Sequence, residues 1–230
     1  MSRFVKVVLM IALITMFLLV ACQKEASWDA LNDQCVKLYQ QGKYSEAAKV
    51  TEEALKVAEK TFGKDHPKVA TSLNNLALLY YSQGKYTEAE PLYKRALAIR
   101  EKALGPEHPD VAISLNNLAL LYRAQWKYAE AELLYKRALS IKEKALGPEH
   151  PDIATSLNNL ALLYKTQRKY AEAEPLYKQA LAIIEKALGP EHPKVATVLE
   201  NMAELYKKMG KKDEAEKLEE RAKVIRSKNQ

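Results

Sequence analysis

The sequence predicts an all-α protein, a solenoid of five helix-turn-helix repeats. Three observations carry that expectation. The nine residues SLNNLALLY stand at Ser72 to Tyr80, Ser114 to Tyr122 and Ser156 to Tyr164. Leu31, Leu73, Leu115, Leu157 and Leu199, which open these copies and two weaker ones, fall 42 residues apart each time. Within each period the apolar residues keep helical spacing, while the scarce Gly and Pro recur at fixed places. Such a period means stacked supersecondary units rather than one globular core.

Ahead of the repeats lies a different kind of segment. Arg3 and Lys6 precede an apolar run from Val7 to Ala21. Fifteen residues are short for a membrane span, which needs roughly 20, and suit the core of a signal peptide. The run ends Leu19-Val20-Ala21-Cys22, which resembles the lipobox of bacterial lipoproteins. That resemblance implies removal of residues 1–21 and acylation of Cys22. An uncleaved anchor is the competing reading. Gln23 follows the cysteine, where Asp would imply inner-membrane retention, so the resemblance implies the outer membrane, facing the periplasm. Residues 22–27 then form a short tether. The five from Gln23 to Ser27 reach at most about 18 Å, so the folded part is expected close to the membrane.

The repeats are expected at about 28–66, 67–108, 109–150, 151–192 and 193–226, within a solenoid spanning 28–230. Pro109 to His150 illustrates them. Pro109 suits a helix N1 position, where its missing N–H costs nothing. Asp110 favours the positive end of the helix dipole. Val111, Leu115, Leu118, Ala119 and Tyr122 follow helical spacing, and the first helix is expected to end near Gln125. A second helix is expected from about Ala129 to Leu146, with Ala131, Leu134, Tyr135, Ala138, Ile141 and Ala145 on its apolar face. Glu132 and Lys136 form an i,i+4 pair on its outside. Gly147-Pro148 stops it.

The order of a small residue, Tyr122, a turn, Tyr128, Ala131, Tyr135 and Ala138 resembles the tetratricopeptide repeat. The 42-residue length, with AEPLYKRAL at Ala89 to Leu97 and ALGPEHPDVA at Ala103 to Ala112, resembles the kinesin-light-chain type of that repeat. The resemblance covers about Trp28 to Ile225. It implies a right-handed α-solenoid whose first helices line a concave face. Fold alone assigns no function.

The end copies depart from the pattern as caps do. Lys212 and Glu219 replace aromatic residues in the last copy. Gln34 and Thr51 replace Leu and Tyr in the first. At the turn, Gly42, Gly84 and Gly210 have Trp126 and Arg168 as counterparts. If that site requires positive φ, each bulky residue costs about 1 kcal/mol. Trp126 is either an exposed contact residue or drift at a turn. Cys35 replaces the alanine of the other copies and is expected to be a small buried hydrophobe. A reactive thiol is the alternative.

Nothing points to an enzyme. His66, His108, His150 and His192 recur once per period and do not converge as metal ligands must. The carboxylates repeat in the same way, and no nucleotide or nucleophile motif is present. No catalytic residue, metal or cofactor is expected. The formal charge of +7 on 230 residues is mild and does not indicate nucleic acid.

A binding surface is the remaining candidate. In the second copy Thr71, Asn74, Leu78, Tyr81 and Ser82 fall on one helix stripe, with Asn75 at its edge. In tetratricopeptide proteins an Asn at this place hydrogen-bonds the backbone of an extended peptide. By position the resemblance implies that role for Asn75, Asn117, Asn159 and Asn201, with Asn74, Asn116 and Asn158 beside them. An amide offers both donor and acceptor to a peptide unit. The competing reading is a ladder of amides bridging neighbouring helices. The rim series Tyr81, Arg123, Lys165 and Lys207 suggests an acidic ligand, against the alternative of a solvated basic face. Two functions follow: a non-catalytic envelope scaffold binding an acidic peptide, or an assembly factor for an outer-membrane secretion or pilus complex that grips a folded partner.

Overall fold

The computed structural model describes residues 26–229. The apolar run, Cys22 and most of the tether lie outside the described residues. Ten α-helices follow one another: α1 Trp28–Gln40, α2 Tyr44–Phe62, α3 Pro67–Ser82, α4 Tyr86–Leu104, α5 Pro109–Ala124, α6 Tyr128–Leu146, α7 Pro151–Thr166, α8 Tyr170–Leu188, α9 Pro193–Lys208 and α10 Lys212–Lys228. No strand occurs among the described residues. No helix there is long and apolar enough to cross a membrane.

Odd-numbered helices are the first members of each pair and even-numbered helices the second. Each helix packs against its pair partner, and each second helix but the last packs against the first helix of the next pair. The first helices α3, α5, α7 and α9 also touch one another in succession. Units that approach more closely on one side stack into a curved array. The first helices therefore form its inner face.

Local chemistry sets the helix bounds. Pro67, Pro109, Pro151 and Pro193 each open a first helix. The preceding histidine is the cap. The backbone N–H of Lys68, Asp110, Asp152 and Lys194 donates to Nδ1 of His66, His108, His150 and His192 at 3.1, 3.1, 3.2 and 3.1 Å. Each donor would otherwise be an orphan of the first turn. The second helices of the first four pairs end at a glycine with positive φ, such as Gly147 at 82°. The turn between the helices of a pair also needs positive φ. Gly84 adopts 74° there, and Trp126 and Arg168 hold 64° and 61°. The bulky residues have not altered the turn; they carry its backbone cost.

Alanine lets the helices close. Ala119, Ala131 and Ala138 are wholly buried, as are their counterparts in the neighbouring repeats. Tyr93, Tyr135 and Tyr177 fill the space between successive first helices. Each seats its ring against the first helix of its own pair and that of the next.

The repeats are also keyed to one another by a buried pair that varies. Arg100, on α4, donates to Ser114 Oγ at 2.8 Å and to the Asp110 carbonyl at 3.2 Å. Lys142, in the same slot of α6, donates to Ser156 Oγ at 3.1 Å. The slot on α8 holds Ile184, and the serine position opposite becomes Val198; both are buried in one apolar cluster. The slot on α2 holds Ala58, and Ser72 opposite it instead accepts from Trp28 Nε1 at 2.8 Å, so each buried hydroxyl has a partner.

The first cap differs from the expectation. Thr51 is buried, not exposed, because its slot points between α1 and α3 whether or not another repeat precedes. Its hydroxyl is satisfied locally, donating to the Ala47 carbonyl at 2.8 Å, with Cys35 Sγ at 2.9 Å. Cys35 itself is buried and unbridged. In the last repeat Lys212 is exposed, and Glu219 pairs with Lys207 at 2.6 Å.

Candidate binding groove

The inner face carries every residue singled out for peptide binding, and the structure gives each a neighbour or withholds one. The asparagines form the ladder between neighbouring first helices that was the alternative to peptide binding. Nδ2 of Asn75, Asn117, Asn159 and Asn201 donates to Oδ1 of Asn32, Asn74, Asn116 and Asn158 at 3.1, 3.0, 3.0 and 3.0 Å. The second asparagine of each pair reaches back to the first asparagine of the preceding repeat. The end copies fit this arrangement. Asp33 stands where a donor would face an earlier repeat, and Glu200 where an acceptor would face a later one. Asp33 is exposed, and Glu200 pairs with Arg226 at 2.9 Å.

These amides are less open than the stripe analysis implied. Asn74 is only 7 % exposed and the others are half-buried. Close approach of successive first helices encloses them. Each rung uses one N–H and one carbonyl. The first asparagine keeps its NH₂ group and the second its carbonyl, so each full pair still presents a donor and an acceptor.

The rim is less basic than its letters suggest. Tyr81 packs on Tyr86 with ring centroids 5.4 Å apart. Lys165 pairs with Glu204 at 2.5 Å, and its side chain is only 11 % exposed. Lys207 pairs with Glu219 at 2.6 Å. Arg123 alone of the three cations has no carboxylate partner among the described residues.

Two recesses lie along this face. A cleft of about 260 Å³ is lined by Lys165, Thr166, Arg168, Tyr170, Glu204 and Lys208. A smaller one of about 100 Å³ lies near the other end, between Cys35, Val36, Tyr39, Asn75, Leu78 and Leu79. The first is polar and the second apolar. No group of three or more His, Cys, Asp or Glu is placed to hold a metal among the described residues.

Two features escaped the sequence reading. The first is the tie made by Glu90, which holds the position of Glu132 one repeat earlier. It binds Lys94 at 2.7 Å and reaches into the next repeat, accepting from Lys127 at 3.0 Å and Gln125 at 3.2 Å. Hydrogen bonding by Lys94 foremost, then Lys127 and Gln125, holds its carboxyl down at about 2 against the opposing effect of burial. Glu132 and Glu174 make related ties to Tyr164 and Tyr206 at 2.9 and 3.1 Å. The recurring Tyr-to-Lys spacing of Tyr122 and Lys127 was the available signal. The second feature is the state of the buried tyrosines. The hydroxyls of Tyr93, Tyr135 and Tyr177 are enclosed and lack hydrogen-bond partners among the described residues. Burial raises the pKa of all three, that of Tyr135 to about 12.

The tetratricopeptide-repeat family model matches residues 31–102, 71–144, 127–186 and 152–226, together most of the chain. The chain belongs to the tetratricopeptide-repeat family. Among solved structures it is similar to the nearly identical TPR-like repeats of a protein assigned as a kinesin light chain in Podosopora anserina. That match has 31% identity and a TM-score of 0.70, over 88% of this chain and 96% of that one. It is also similar to BtubC (BKLC) from P. vanneervenii, at 27% identity and TM-score 0.73, over 86% of this chain and 79% of that one. A Rap protein complexed with Competence and Sporulation Factor shares the fold at 18% identity and TM-score 0.76, over 87% of this chain and 54% of the other. Comparison with curated proteins gives no match. The TPR solenoid, with structural similarity to kinesin-light-chain-like repeats, is thus the architecture of this chain, and a TPR fold is generally a protein-interaction scaffold.

Proposed function

We propose that this TPR chain is a non-catalytic scaffold of the bacterial cell envelope that holds an extended acidic peptide along its inner face. The observation that carries the reading is the hydrogen-bonding capacity that the asparagine ladder leaves unused. The ladder fixes a line of amides at one repeat spacing, and each full pair keeps one donor and one acceptor free. A peptide backbone has the complementary need at every unit, independent of its sequence. The unpaired Arg123 favours acidic over basic ligands. Acylation at Cys22 would hold the scaffold at the outer membrane, and the LVAC sequence supports that part of the reading.

A second reading is favoured by one observation. Trp126 is 77 % exposed and keeps a positive φ that glycine holds elsewhere. Two unfavourable features at one residue fit a contact made to a folded partner by the turn edge. The chain would then serve assembly of a secretion or pilus complex.

A photo-crosslinking residue placed at Tyr81 or at Trp126, in the native host, separates these readings. Crosslinks from Tyr81 into an unstructured acidic segment are the expected result. Crosslinks from Trp126 alone, into a folded domain, would replace the first reading with the second. Mass spectrometry of the membrane-extracted protein tests the anchor, which fails if Cys22 is unmodified.

A further inference from the structure

Away from the inner face, one repeat presents an apolar surface that the others lack. Trp126 and Leu133 are 77 % and 70 % exposed, more than any other large hydrophobic residue among those described. Both belong to the third repeat, the middle one of five. Residues 109–150 and 151–192 differ at only nine of 42 positions, and these two are among them. The slot of Trp126 holds Gly42, Gly84, Arg168 and Gly210 in the other copies, and that of Leu133 holds Lys49, Pro91, Pro175 and Lys217. A single exposed apolar side chain is ordinary; two within one repeat form a patch.

We propose that the outer face of α6 is a two-fold contact through which two copies of this chain associate, centred on Leu133. The proposal rests on the reading that gives Trp126 a folded partner, and it makes that partner a second copy. α6 packs against α5 and α7. Its free stripe carries Glu130, Lys136 and Ser140, all exposed, three residues before, three after and seven after Leu133. That stripe is self-complementary. A two-fold axis at Leu133 sets α6 antiparallel to α6 of the second copy, so each leucine meets its equivalent. Glu130 then lies level with Lys136 of the second copy, and Lys136 with its Glu130. Trp126, seven residues before Leu133, lies level with the small Ser140. Lys136 is held by Glu132 at 2.6 Å, but its side chain is 54 % exposed and keeps donors for a second carboxylate. The same charges recur as Glu88 and Lys94 and as Glu172 and Lys178, with Pro91 and Pro175 between them and no apolar centre. The shape of the array agrees, because two outer faces set back to back touch first at the middle repeat. Such a contact closes on itself and does not propagate. Its limited area sets a weak dimer, with a dissociation constant of about 10–100 μM.

The test is analytical ultracentrifugation of residues 23–230, which hold every packing contact described above, over about 1–500 μM protein. A reversible monomer–dimer equilibrium is expected. Leu133→Pro and Trp126→Gly take their residues from matched slots of the second repeat, where the same helix and turn form around them. Each is expected to keep the wild-type helix content and to weaken the dimer at least about tenfold. Glu130→Lys and Lys136→Glu each set like charges against one another across the axis and are expected to abolish the dimer. An equimolar mixture of these two variants restores both ion pairs and is expected to dimerise again, which neither a folding defect nor general stickiness would do. In the full chain, a photo-crosslinking residue at Leu133 in the native host is expected to join two copies. A monomer throughout the concentration range overturns the contact, as do variants that dimerise like wild type or a mixture that stays monomeric. Crosslinks from Leu133 only to a different folded protein overturn the two-fold contact and leave the folded-partner reading standing. No crosslink to any folded protein from Leu133 or Trp126 overturns both.

Discussion

Asn117 donates from Nδ2 to Oδ1 of Asn74 at 3.0 Å, joining α5 to α3 across a full repeat. The acceptor is nearly enclosed, so the rung is part of the core as much as of the groove. Asn117→Ala removes the donor and leaves a buried carbonyl unpaired. The expected loss is about 1–2 kcal/mol by urea denaturation. A double-mutant cycle with Asn74→Ala should show a coupling of about 1 kcal/mol. Additive losses would mean the rung carries no energy of its own.

Arg100 and Ser114 should behave as a unit. Ser114→Val leaves a buried guanidinium short of an acceptor and is expected to cost about 2–4 kcal/mol. Adding Arg100→Ile rebuilds the apolar pair that Ile184 and Val198 already form. The double variant should regain most of the loss. Thermal melts of the two single variants and the double check this.

Glu90 gives the protein an acid-sensitive seam. Its carboxyl ionises near 2 in the folded chain, against an ordinary value of 4.5. A depressed carboxyl stabilises the fold fully above about pH 4.5, and that contribution is lost as pH falls from there toward 2. Lys94 and Lys127 both reach solvent, so screening reduces the effect to about 1–2 kcal/mol. Glu90→Gln should flatten the stability profile between pH 5 and 3 by roughly this amount. An unchanged slope in denaturation measured across that range would count against the tie.

Arg168 carries a left-handed backbone at φ 61° on an exposed turn. At Gly84, in the matching slot, an added Cβ would meet nothing within 4 Å, so the cost is backbone conformation and not collision. Arg168→Gly is expected to stabilise the fold by about 0.5–1 kcal/mol, the αL cost less the added freedom of the unfolded chain. Differential scanning calorimetry reads this directly. A lower melting temperature would show that the arginine side chain contributes more than its backbone costs.

Much of the fold was legible because its determinants are local and recur. Pro109, the residue after a capping histidine, starts a helix wherever that pattern occurs. Gly147 ends one, and Ala119 and Ala131 mark close approach in every copy. The candidate site was legible only as a set of positions. Asn117 and Lys165 stood out as first-helix positions, but their partners, Asn74 and Glu204, stand 43 and 39 residues away. Thr51 looked like a cap substitution because its letter is polar; its slot turned out to be interior.

The sequence by itself determined the period, the helix starts at proline, the stops at glycine and which helices are first and second. These depend on contacts within a turn or two of chain. Only the tertiary structure decided which polar groups on the inner face are spent on neighbouring repeats and which remain free. That outcome depends on how closely successive first helices approach. Stacking brings Asn117 to Asn74 and Lys165 to Glu204, and it leaves Arg123 with no carboxylate partner among the described residues.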